Sequence, residues 1–179
     1  AAKIHLDRPN SSIKATVGNI LIRSTGDNST VTVEPSGTID ASGLLVINAN
    51  TVINSGTMVS RSGAVTFSNL GVDYPNGTQS TFTVTNNGFI TSLVGEESLG
   101  DINFSAQASA LAIRGTGELN GVVTGAAQTI SILYSGNTPL RLAYLNAVGG
   151  NQMPNNGPGA GAISIVQLGP LSQPPEIIV

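Results

Sequence analysis

Apolar and polar residues alternate along short segments of this chain with a period of two, the spacing that puts every second side chain on one face of a strand. The segments also recur. Gly18, Gly37 and Gly56 stand nineteen residues apart (37 − 18 and 56 − 37), and the pattern is clearest in SGTIDASGLLVINANTVINSGTM, Ser36 to Met58. Two residues past each glycine comes an apolar residue, Ile20, Ile39 and Met58, continued by Ile90 after Gly88 and Leu119 after Gly117. Four residues before the glycine stand Val33, Val52, Val84 and Ile113, with Lys14 in the first repeat. On the next face Leu45, Ile47 and Ala49 are answered by Val65, Phe67 and Asn69, twenty residues on (65 − 45). A unit of this length cannot bury its apolar face alone and must stack on its own repeats. The fold class is therefore all-β, a single-domain parallel β-helix with extended N- and C-terminal arms.

The glycine intervals then lengthen to 32 (88 − 56) and 29 (117 − 88), enough in each case for a projecting loop. The polar, turn-rich stretches Gly71–Ser80, with Pro75-Asn76-Gly77, and Gly95–Asp101, with Glu96 and Glu97, are the places for them. Ile130, Ile132 and Tyr134 predict a further strand, and Leu140, Leu142 and Tyr144 another after Pro139; by there the regular repeat has decayed, and Leu140–Val148 is the one stretch for which a helix stays open. GGNQMPNNGPGAG (Gly149–Gly161) has no periodicity and is expected as a loop, before the strand-like AISIVQL. Pro170, Pro174 and Pro175 then favour an extended course. The organisation expected is 1–10 as an N-terminal strand or arm, 11–148 as β-helix, and 149–179 as a Gly/Pro-rich loop and C-terminal arm.

Only 9% of the 179 residues are charged, so the polar surface is made from Ser, Thr, Asn, Gln and Gly, as in many secreted β-proteins. The net charge of −3 leaves no basic stripe for phosphates, which argues against nucleic acid and an anionic membrane as partners. With no cysteine there is neither a disulfide framework nor a thiolate metal site. No apolar run approaches the roughly 18–20 residues of a membrane helix, and no membrane insertion is expected. The Ala1-Ala2 start is read as a mature terminus left by signal-peptide removal, although a chain trimmed at that point would look the same.

The segment GTIDASGLLVINANTVINSGTM resembles the nineteen-residue coils of filamentous haemagglutinin-type exoproteins, in which a glycine turn, an Ile or Leu and a strand ending in Val-x-Asn recur. The match is clearest from Gly18 to Leu70 and looser at TVTNNGFI and AIRGTGELNG, reaching Gly121. The resemblance implies a right-handed parallel β-helix on an exported surface protein. Autotransporter passengers, pectate-lyase-like enzymes and phage spikes use similar turns, and this chain shows no secretion module.

Residues able to carry chemistry are sparse. His5 is the single histidine and, without cysteine, heads no convincing triad or zinc site. Arg23 and Arg61 each follow a repeat glycine by five residues, so they are expected in one outward column two coils apart, with Asp40 able to bridge them. Such a pair suits a sugar carboxylate, although a surface ion network is the commoner arrangement. Glu96, Glu97 and Asp101 form the densest acidic group but match no calcium loop. Asn48, Asn50, Asn54, Asn86 and Asn87 sit where strands enter turns and are expected to stack in ladders along the coil axis. Aromatic residues make up 4% of the chain, with no tryptophan, so glycan-stacking platforms are poorly supplied. Asn10, Asn28 and Asn76 begin Asn-x-Ser/Thr sequences, expected by chance in so Asn-, Ser- and Thr-rich a chain. No catalytic residue, cofactor or metal is expected.

The ends of a parallel β-helix present unpaired backbone groups that invite another chain unless capped. Ile4 and Leu6 at one terminus, and Ile163, Ile165, Ile177, Ile178 and Val179 toward the other, are the candidate assembly residues. The expected partner is the same chain, head to tail, since such contacts do not close and so generate filaments. The function expected is an exported, non-enzymatic structural subunit of an extracellular filament, sheath or matrix. The alternatives are a cell-surface adhesin or glycan-binding module, and a polysaccharide-degrading β-helix enzyme.

Overall fold

The computed structural model describes residues 3–6, 10–24, 26, 28–69, 81–95, 98–106, 110–136, 138–147 and 161–168. Successive strands enter three sheets in turn, so that each of the first five coils lays a strand on every wall. The first coil places β1 (Lys3–Leu6), β2 (Ser12–Ala15) and β3 (Ile20–Arg23) in sheets A, B and C. The second repeats this with β4 (Thr30–Val33), β5 (Thr38–Ala41) and β6 (Leu45–Asn48), and the third with β7 (Thr51–Asn54), β8 (Thr57–Ser60) and β9 (Val65–Ser68). In the fourth, β10 (Phe82–Asn86) and β11 (Phe89–Val94) are followed by a corner strand, β12 (Ser98–Leu99), that turns back antiparallel on β11 before β13 (Asp101–Ser105). The fifth comprises β14 (Ala110–Gly115), β15 (Glu118–Asn120) and β16 (Val122–Ala127). The sixth has β17 (Thr129–Tyr134) in sheet A and β18 (Arg141–Ala147) in sheet C, and β19 (Ile163–Gln167) begins a seventh in sheet A. All the sheet-building pairs are parallel, and the fold is the parallel β-helix that the alternation predicts.

Parity puts one side-chain set of each wall inside. Sheet A stacks Val31, Val52, Val84, Ile113 and Ile132, and sheet B stacks Ile39, Met58, Ile90 and Leu119, all of them buried. In sheet C, Leu45, Val65, Ile102 and Val123 form one buried column, and Ile47, Phe67 and Phe104 the next. The Phe67 and Phe104 rings stack with centroids 5.2 Å apart, close to the ~4.8 Å between parallel strands.

The register corrects three sequence expectations. The second to fifth coils each make two glycine turns, and Gly18 in the first coil belongs with the second kind. Gly37, Gly56, Gly88, Gly117 and Gly136 stack at the corner from sheet A to sheet B, whereas Gly18, Gly43, Gly63, Gly100 and Gly121 stack at the corner from B to C. A Cβ on most of these would collide with the backbone or side chain of the coil below, because glycine lets neighbouring turns approach within hydrogen-bonding distance: Phe89 N donates to Gly56 O at 2.8 Å and Glu118 N to Gly88 O at 2.7 Å. Hence Ile13, not Ile20, is the first-coil partner of Ile39, and Ile20 pairs with Leu45. Likewise Val31, not Val33, pairs with Val52; Val33 stands opposite Asn54.

The sixth coil restores the nineteen-residue period that had looked decayed, from Ile113 to Ile132 (132 − 113) and from Gly117 to Gly136 (136 − 117). The stretch left open as a helix is β18. Its register against β16 slips between Val123 and Thr124, so Leu142 is buried but Tyr144, two residues on, faces solvent. The insertion Gly95–Asp101 lies at the β11–β12 corner, where Gly95 turns at φ 78°, while Gly71–Ser80 falls outside the described residues.

Candidate assembly surface

The outer face of sheet B carries the ion pairs. Lys14 and Asp40 are register partners on β2 and β5, and Arg61 follows β8 one coil further on. Arg61 Nε and Nη2 donate to Asp40 Oδ1 and Oδ2 at 2.7 and 2.9 Å, and Lys14 Nζ lies 3.7 Å from Oδ2. The Arg61 hydrogen bonds hold the Asp40 carboxyl below its ordinary pKa against the opposing effect of burial, and Asp40 raises that of Arg61 in return. Arg23 is elsewhere. It ends β3 on sheet C opposite Asn48, so the expected Arg23–Arg61 column does not exist. The Arg61 guanidinium is used by Asp40, which leaves no two-arginine cradle for a sugar carboxylate.

The asparagines form the expected ladder at the corner after sheet A. Asn54 Nδ2 donates to Asn86 Oδ1 at 2.8 Å and to Phe89 O at 3.2 Å, and Asn86 Nδ2 donates to Glu118 O at 3.0 Å. Both side chains are buried, so these amides tie the corners of the third, fourth and fifth coils together and face no ligand. Asn87 Oδ1 accepts from Thr116 N at 3.2 Å, and Ser68 Oγ donates to Asn48 Oδ1 at 3.4 Å. Asn50 N donates to Ser29 Oγ at 2.9 Å.

Asp101 is exposed at the start of β13; Glu96 and Glu97 lie outside the described residues. Among the described residues no three His, Cys, Asp or Glu side chains gather where a metal could be held. His5 lies in β1 opposite Thr32. Asn10 stands at a turn with φ 63° and Asn28 is exposed before β4, while Asn76 lies outside the described residues.

Besides single side chains along the stack such as Leu44, Phe89 and Val94, the coil exposes apolar surface at its far end. Ile163 and Ile165 of β19 continue the columns of Ile130 and Ile132, yet they are 46% and 37% exposed where the earlier members are each 1%. Val166 and Leu168 beside them, Leu133 below, and Tyr144 of β18 are also exposed. At the opposite end, β1, β2 and β3 are the first strands of their sheets, with Leu6 half-buried against the core and Val17 and Leu21 exposed. Exposed side chains continuous with a buried column are what an unextended solenoid leaves at its last coil.

The candidate assembly residues thus fall on the two edges of sheet A. Ile4 and Leu6 are on β1, opposite Val31 and Val33; Ile163 and Ile165 are on β19. With seven strands in the sheet, six spacings of ~4.8 Å keep the two edges about 29 Å apart in one molecule. Ile177, Ile178 and Val179 lie outside the described residues. Sequence reasoning did not single out Leu133, Val166 and Leu168; Leu133 follows Arg114 by the restored nineteen residues (133 − 114), and Leu133 with its partner Val166 lies on the outward phase of sheet A beside the uncovered columns. Comparison with protein-family models, curated proteins and solved structures returned no match.

Proposed function

We propose that this chain is a structural subunit that self-assembles head to tail into an extracellular filament, sheath or matrix. The observation that carries the reading is the outcropping of the sheet A interior at β19, where Ile163 and Ile165 lose the cover that every earlier coil provides. Among the described residues no strand pairs with the outer edge of β19, and an edge that joins open backbone groups to an apolar face is satisfied by one more parallel strand. The reading is supported by the walls, where Arg61 is engaged with Asp40 and the buried Asn54 and Asn86 spend their amides on each other and on the carbonyls of Phe89 and Glu118. Light scattering and electron microscopy of the purified protein test it: polymers form without added ligand and grow with protein concentration. A protein that stays monomeric as it is concentrated, yet binds surface glycans, would favour the adhesin reading, in which the β11–β12 corner is the displayed element.

A further inference from the structure

We infer that the mating contact is made by sheet A alone, with β19 of one copy pairing in parallel with β1 of the next in the register Ser164↔Lys3, Ile165↔Ile4, Val166↔His5, Gln167↔Leu6. This rests on the head-to-tail reading above and specifies which edges meet. Three observations lead to it.

First, sheet A is the wall that reaches furthest. Among the described residues it ends in the seventh coil, sheet C in the sixth at β18, and the strands of sheet B in the fifth at β15. The segment after β17 follows the corner over the end of β14, with Ser135 N donating to Gly115 O at 2.9 Å and Gly136 over Gly117, and its described residues add no strand to sheet B. An approaching copy therefore meets β19 first.

Second, the columns of sheet A run the length of the molecule without shear. Ile4, Val31, Val52, Val84, Ile113, Ile132 and Ile165 are successive register partners. So are Lys3, Thr30, Thr51, Thr83, Ala112, Ser131 and Ser164. A second copy that keeps the coil outline in line places Ile4 over Ile165 and Lys3 over Ser164. The polarity also fits, since every strand of this sheet runs parallel to its neighbours.

Third, the side-chain phase penalises the nearest alternative. A slip of one residue would put Lys3 over Ile163 or Ile165, on the inward face, and bury its ammonium among aliphatic side chains. A slip of two keeps the phase but moves the whole outline of the second copy about 6.6 Å along the strand, off the walls of sheets B and C.

The chain has no cysteine, so engineered thiols report without background. In parallel neighbours the Cα atoms lie ~4.8 Å apart, inside the range a disulfide spans. The control Ser131→Cys/Ser164→Cys, partners within one molecule, cross-links intramolecularly when β19 is seated as described. Lys3→Cys/Ser164→Cys, polymerised and then oxidised, gives a ladder of covalent oligomers on a non-reducing gel. The offset pair His5→Cys/Ser164→Cys cross-links about tenfold less under the same conditions. Polymers with the ladder in the offset pair instead overturn the register while leaving head-to-tail assembly intact. Dimers from Ser164→Cys alone overturn it in favour of β19 meeting β19. Absence of polymers in electron micrographs, with the intramolecular control intact, removes the assembly reading itself.

Discussion

Truncating Phe104 asks whether the interior is packed as register-locked columns. Phe104 stands on β13 opposite Phe67 of β9, and on its other side is Gly125 of β16. The two rings are buried, with planes 14° apart and centroids 5.2 Å apart, so the strand register sets their offset stack. Phe104→Ala removes a ring that Gly125 cannot replace, since it has no side chain to move into the gap. Loss of a buried phenylalanine costs roughly 3–5 kcal/mol, and the glycine neighbour puts this site in the upper half, about 4 kcal/mol. Phe104→Leu retains most of the volume and should cost roughly 1–1.5 kcal/mol. Urea unfolding followed by far-UV circular dichroism, under dilute conditions where scattering shows monomers, measures both. In a thermal melt read by the same signal, each kcal/mol moves the midpoint of a chain of this size by about 2–4 °C, so Phe104→Ala should melt about 8–16 °C lower. A double-mutant cycle with Phe67→Ala should return a coupling of about 0.5–1.5 kcal/mol. A loss under about 1 kcal/mol for Phe104→Ala, with no coupling, would refute the column packing.

Other consequences are equally direct. Asp40→Asn should lower stability at neutral pH by about 1 kcal/mol, a discounted figure because Lys14 and Arg61 are more than half exposed. Because the Asp40 pKa is lowered on folding, its contribution is complete above the unfolded-state value and fades as pH falls through the lower folded-state value. Wild type and variant should therefore converge in acid, in denaturation curves measured below the ordinary carboxylate range. Asn86→Leu takes away the donor to Glu118 O and one of the two acceptors of Asn54 Nδ2, which keeps Phe89 O, and should cost roughly 2 kcal/mol, with hydrogen exchange faster at the fourth and fifth coil corners. Ile165→Asp, at an exposed position, should leave the monomer's melting curve within about 1 kcal/mol of wild type while abolishing polymers in light scattering.

The strands and their inward faces were legible in the sequence because period-two alternation is a local property. Ile39, Met58, Ile90 and Leu119 form the column that their spacing predicts. The first coil was misread because two kinds of glycine turn occur per coil, and Gly18 happens to lie nineteen residues before Gly37 although the turns belong to different corners. The displaced partner Ile20 and the false Arg23–Arg61 pair follow from that coincidence; Val33 was misplaced because the chain from β4 to Gly37 is two residues longer than that from β7 to Gly56, so Val31 meets Val52 twenty-one residues on (52 − 31) while the glycines keep nineteen. β18 was ambiguous for another reason: the slip at Val123/Thr124 breaks the alternation, sending Tyr144 outward after Leu142 has pointed in. Counting found the Asp40–Arg61 half of the outer cluster but not Lys14, because the next coil step in this wall is 19 residues (58 − 39) whereas the first is 26 (39 − 13).

The most direct test of the account is the axial repeat of the assembled protein. If sheet A continues from one copy to the next through β19 and β1, each subunit contributes the seven strands of its described residues, and electron microscopy of filaments grown from the purified chain should show a subunit rise of about 34 Å, with a strand repeat near 4.8 Å along the axis. Particles that remain single at every concentration, or filaments whose strands lie along the axis instead of across it, would contradict it.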